Sequence, residues 1–174
     1  PAAHIAQATD LLGKLGALDA TGCLTARGRA MLRLGVHPRL AHMMLRGREL
    51  GYGSLACELA ALLGERDPLR GVQPQDADIV LRLELLRGRG RTGDNRHGLP
   101  GHIRATARRW QRQLHCDASP GDHADLSMAG VLLAFAYPDR IATRRQGAGN
   151  RFVLSSGRGA VFGEAEPLAA ADTI

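Results

Sequence analysis

Apolar residues recur at intervals of three and four through most of this 174-residue chain, then give way after Pro138 to short β-branched and aromatic runs. That change of period constrains the fold more than any other feature. A three-to-four spacing lines one side of a helix, whereas short β-branched runs between turn residues read as strands. Ile5, Ala8, Leu11, Leu12 and Leu15 predict an amphipathic helix over 4–15. Asp19 to Gly22 forms a turn signal, and Thr25 stands where an N-cap hydroxyl accepts from the first free amides of a helix carrying Ala30, Met31 and Leu34. Pro38 suits the first position of a third helix, with Leu40, Ala41, Met44 and Leu45 inward and Arg39, His42, Arg46 and Arg48 outward. Gly47, Gly51 and Gly53 break the pattern before Ser54 opens a fourth helix to Leu63, with Gly64 suited to the C′ position.

Glu65 to Gln75 reads as loop, after which Asp76 is expected to cap a helix bearing Ile79, Val80, Leu83 and Leu86. Arginine and glycine alternate from Arg87, and 87–98 reads as a flexible basic loop, a solvated linker in preference to a contact that orders on nucleic acid. The helix expected over 101–115 has two faces. Ile103, Ala107, Trp110 and Leu114 fall together, and Arg104, Arg108 and Arg112 form an exposed column at i, i+4 and i+8. Like charges stacked this way repel by a few tenths of a kcal/mol per pair, so the column calls for a counter-charge. A turn at Ser119 to Asp122 precedes one more helix through Leu126, Met128, Val131, Leu132 and Phe135. Segments 140–145, 151–154 and 160–162 then predict a three-stranded meander, the opening part of a small β-barrel. The fold class is mainly α with a small C-terminal β part.

Composition narrows the partners. Aromatic residues make up 3%, which disfavours a base-stacking sheet of the RRM kind. Twenty-three Lys+Arg face seventeen Asp+Glu, a net charge of +6, and Lys14 is the only lysine. Guanidinium forks pair with phosphate in bidentate geometry, so a polyanion is one reading of the excess; a coding bias toward arginine is the other. Cys23, Cys57 and Cys116 are odd in number and far apart, which fits small core residues in a reducing compartment. No run reaches the roughly 18 apolar residues of a membrane span, and the expected location is cytoplasmic. The opening at Pro1 directly into helical pattern suggests a cut through a longer protein.

Catalytic motifs are missing. The sequence has no G-x-x-x-x-G-K-[ST] run and no G-x-S-x-G elbow, and Gly147, Gly149, Gly157 and Gly159 lie between strands instead of opening a helix. His102, His115, Cys116 and His123 match no zinc spacing. Leu11, Leu15, Met44, Leu59 and Trp110 read as core.

Six stretches carry a resemblance: 11–19 (LLGKLGALD), 24–31 (LTARGRAM), 37–43 (HPRLAHM), 56–67 (ACELAALLGERD), 136–145 (AYPDRIATRR) and 157–160 (GRGA). The chain resembles the accessory region of HrpB-type DEAH-box ATP-dependent helicases, C-terminal to the motor domains. The resemblance implies a degenerate winged helix (1–36), a helical ratchet-like bundle (37–136) and the start of an OB-like region (137–174). It also implies RecA-like motor domains in the parent as partner, with ATP and magnesium bound there and no ATPase activity in this chain alone. Gly35 stands where such proteins often have proline, and Gly64 where serine is common.

On that reading Arg39, Arg104, Arg108, Arg112, Arg140, Arg144, Arg145, Arg151 and Arg158 grip the phosphates of single-stranded RNA or DNA, without base preference and with strong salt dependence. Two other classes fit the pattern: a freestanding winged-helix regulator and a protein-interaction module.

Overall fold

Where the sequence spaces its apolar residues by three and four, the chain is helical. The computed structural model describes residues 2–65, 77–88, 101–116, 126–145, 150–163 and 167–174. In them run α1 (Ala2–Lys14), α2 (Ala26–Leu34), α3 (Pro38–Glu49), α4 (Gly53–Leu63), α5 (Ile79–Leu86), α6 (Gly101–Leu114) and α7 (Ala129–Ala136). A 3-10 turn at Pro138–Arg140 leads into β1 (Ala142–Arg144), β2 (Arg151–Leu154) and β3 (Gly159–Val161).

Local chemistry sets the helix ends. The Thr25 hydroxyl accepts from the Gly28 amide at 2.9 Å and donates to the Gly16 carbonyl at 2.7 Å, fastening the start of α2 to the turn after α1. Close approach there is why position 28 is glycine: a Cβ would lie 2.2 Å from the Ala17 carbonyl oxygen. Gly35 closes α2 at φ 62°, a left-handed conformation that glycine adopts without strain. Gly64 ends α4 at φ −77°, so it is not the left-handed cap the sequence suggested. Asp78 caps α5, its carboxylate accepting from the Val80 amide at 2.9 Å; the expected cap, Asp76, lies outside the described residues.

Gly47 corrects another expectation. It does not break α3 but lies within it, where a Cβ would meet the Ala56 Cβ at 2.6 Å and Leu132 Cδ2 at 3.1 Å. Its missing side chain lets α3, α4 and α7 approach. Of these, α4 is the centre of the body, packing on α3, α5, α6 and α7, with every residue from Gly53 to Leu62 buried. Leu55, Leu59, Met43, Met44, Leu83, Ile103 and Leu132 are fully buried around it, each burial contributing about 1.5–3 kcal/mol. By contrast α1 has no buried residue: its apolar stripe is covered only near Leu11, Leu12 and Leu15, and Ile5 is 68% exposed.

The sheet is antiparallel in the order β1-β2-β3, with Thr143 opposite Val153 and Phe152 opposite Ala160. The end of the chain lies along β1, Ala142 and Ile174 exchanging amide-to-carbonyl bonds of 2.8 and 2.9 Å. Phe152 is buried and meets the Phe162 ring edge-on at 5.5 Å.

Candidate nucleic-acid interface

Helix α6 is fixed on one side and open on the other. Its inner face buries Ile103, Ala107, Trp110 and Leu114. The Trp110 indole donates to the Leu34 carbonyl at 3.1 Å, and the Gln111 amide donates to the Ser54 hydroxyl at 2.9 Å. On the outer face Arg104, Arg108 and Arg112 are all exposed, as their spacing predicts. They are not equivalent. Arg104 turns back along the body, where its Nε donates to the Leu86 carbonyl at 2.7 Å and its Nη2 to Leu85 at 3.3 Å. It thereby neutralises the carbonyl end of α5, a favourable place for a cation. Arg108 and Arg112 make no side-chain hydrogen bond or ion pair among the described residues.

Arg39 is held inside the fold. Its Nη1 donates to the Ala136 carbonyl at 2.9 Å and pairs with the Asp139 carboxylate at 2.5 Å, while its guanidinium stands 5.5 Å from the Tyr137 ring centre. The hydrogen bond from Arg39 holds the Asp139 carboxyl below the usual carboxylate range. Arg140 lies on the same ring at 4.9 Å, so Tyr137 lies against two guanidiniums at the junction of bundle and sheet. Arg144 donates to the Ala169 and Ala171 carbonyls at 2.5 and 2.8 Å, with Asp172 at 3.6 Å, and so clasps the end of the chain.

The other strand arginines point outward. Arg145 and Arg151 are exposed and joined by the Arg145 amide donating to the Arg151 carbonyl at 3.0 Å. Register places them directly opposite on one sheet face, an arrangement that repels unless an anion lies between or above them. Arg158, in the turn before β3, is also exposed. No hydrogen bond or ion pair among the described residues joins the α6 arginines to those of the sheet.

Comparison with known proteins gives this geometry its context. No protein-family model matches the chain. The chain is 32% identical over 162 residues, 93% of its length, to the ATP-dependent RNA helicase HrpB of Escherichia coli strain K12. Two crystal structures of E. coli HrpB, described as a DExH-box NTPase and as a DEAH/RHA helicase, superpose with TM-scores of 0.75 and 0.74 over 99% of the chain at 26% and 28% identity.

The chain belongs to the HrpB-type DEAH-box helicases.

It matches their C-terminal region and spans 17% of the length of the E. coli relative and 19% of each superposed structure. A shorter match, 33% over 85 residues, reaches the probable ATP-dependent RNA helicase DHR2 of Saccharomyces cerevisiae, of which it covers 12%. In this HrpB-type region Gly157 lies in the turn between β2 and β3 and Gly159 opens β3, and among the described residues no group of three His, Cys, Asp or Glu is placed to hold a metal. No helix among the described residues is long and apolar enough to cross a membrane.

Sequence reasoning missed Arg87. Taken as the first residue of a flexible loop, it has a side chain only 6% exposed and pairs with Glu58 of α4, Nε and Nη2 both reaching Oε2 at 2.9 and 2.8 Å. Glu58 alone among the apolar residues of α4 was the available signal, since a buried carboxylate demands a cation. Arg109 was missed too; it is exposed beside Arg108 and Arg112, and wheel position alone would have found it. Cys23, expected in the core, is exposed.

Proposed function

We propose that this chain is the nucleic-acid-channel accessory segment of an ATP-dependent helicase, with winged-helix-like (1–36), ratchet-like (37–136) and OB-like (137–174) parts. It grips a single strand through phosphate contacts while RecA-like motor domains of the parent, which bind ATP and magnesium, supply the pull. Both named relatives are described as RNA helicases, which favours RNA over DNA as the strand.

The observation that carries this reading is the pair Arg108 and Arg112, stacked on a helix locked from behind and left without a counter-charge among the described residues. The opposed Arg145 and Arg151 repeat the same situation on the sheet. Arg158 and Arg140 complete the outward set. Arg39, Arg104 and Arg144 serve the fold through the bonds described above and reach the strand only by giving those bonds up.

Binding of single-stranded RNA, followed by fluorescence anisotropy across a salt series, tests the proposal. Arg108→Gln with Arg112→Gln should lower the salt slope by about 1.4 units, from about 0.7 per phosphate contact. An unchanged slope removes α6 from the interface. Strong preference for one duplex sequence would instead favour a winged-helix regulator, and salt-independent behaviour with every oligonucleotide a protein-interaction module.

A further inference from the structure

Two of the three cysteines meet in the interior. Cys57 is on α4, one turn after Gly53, and is fully buried. Cys116 follows the end of α6 and packs over Gly53 so closely that a Cβ there would lie 2.8 Å from both its Cβ and its Sγ. Positions 53 and 57 share one helical face, so the Cys116 sulfur lies above the Cys57 side chain. The Cys116 thiol donates to the Gln111 carbonyl at 3.7 Å. Cys116 is half-buried and Cys57 buried, so a reagent from solution meets Cys116 first.

We propose that Cys57 and Cys116 form a thiol modification site, in which Cys116 reacts with a small-molecule disulfide and Cys57 resolves the adduct into a bond between α4 and the end of α6. In the first step the Cys116 thiolate attacks one sulfur of the external disulfide, whose S–S bond breaks and releases one thiol. In the second, Cys57 loses its proton and attacks Cys116 Sγ, releasing the other thiol. Two protein thiols are oxidised to one disulfide and the external disulfide is reduced to two thiols. The order of attack follows from access, and from the neighbouring Cys116 thiol and the burial that push the Cys57 thiol up and keep it protonated. The new bond joins the helix carrying the outer arginines to the central helix of the core. None of this depends on the nucleic-acid reading.

Exposed Cys23 is an internal control, because no second thiol of the chain is left to resolve an adduct there. The folded 174-residue chain, incubated with oxidised glutathione and then unfolded and alkylated, is to be read by intact mass and peptide mapping. The expected result is one glutathione on Cys23 and a loss of two hydrogens across Cys57 and Cys116. Cys57→Ser, with Cys57→Ala as a second variant, should trap a stable glutathione adduct on Cys116. A stable adduct on Cys116 of the unaltered chain, or full alkylation of Cys57 and Cys116 while Cys23 is modified, overturns the proposal. The unaltered chain decides the matter if both variants misfold.

Discussion

The helical body and the C-terminal sheet divide their arginines between inner struts and outward groups in different proportions. In the body Arg39, Arg87 and Arg104 are struts: one joins α3 to the carbonyl end of α7, one answers a buried carboxylate on α4, and one covers the end of α5. In the sheet only Arg144 is such a strut, while Arg145, Arg151 and Arg158 face outward. Helices end in bare carbonyls that a guanidinium can satisfy, whereas strands pair theirs laterally. Helix-end carbonyls therefore hold Arg39 and Arg104 in the body, while Arg108 and Arg112 on the outer face of α6 stay as open as the outward arginines of the sheet. The second difference is in the cores. The body is one continuous apolar cluster from Leu15 to Ala136; the sheet rests on Phe152 and Ala142.

The sharpest attack on the comparison is at Phe152. Phe152→Ala should cost about 3 kcal/mol, and its effect should stay in the sheet. Native-state hydrogen exchange would show the β2 amides losing protection while those of α4 keep theirs; equal loss in both would mean that the two regions unfold as one. Glu58→Ala comes next: it removes the carboxylate that the nearly covered Arg87 guanidinium pairs with, and a loss of about 1–3 kcal/mol is expected from urea denaturation. A loss below about 0.5 kcal/mol would mean that the pair adds little to the body.

Gly28→Ala should cost about 1–3 kcal/mol, because the added methyl must displace the Ala17 carbonyl or the Leu24 side chain, and thermal melts would register it. The smallest effect is in pH. Burial, with Arg27 nearby, lowers the His42 pKa below its ordinary 6.5, so the unfolded chain binds that proton first as the solution is acidified. The stability this histidine contributes is complete above pH 6.5 and is lost as the pH falls through the lowered folded value. His42→Gln should flatten this part of a stability-versus-pH curve measured by denaturant titration.

Particular residues show where the sequence was readable. Thr25 and Pro38 act through their own backbone neighbours, and each marks a helix boundary where its chemistry indicates one. Trp110, Leu59 and Met44 are buried as periodicity requires. Gly47 misled because a glycine inside a helix is silent about whether it breaks the helix or admits a neighbour; only Ala56 and Leu132, from two other helices, settle that. The arginine column was legible as a column, but Arg104 belongs to α5 because Leu85 and Leu86 end there, eighteen or so residues away in the chain.

By itself, then, the sequence determined the order of helices and strands, the exposed face of α6 and the HrpB-type kinship, because these depend on spacing within about one turn and on local side-chain chemistry. Tertiary structure alone decided which arginines are struts and which are free, and which cysteines meet. Those outcomes depend on where distant carbonyls, carboxylates and thiols arrive after packing, and Glu58 with Arg87, Arg39 with Asp139 and Cys57 with Cys116 are separated by too much chain for any local pattern to encode them.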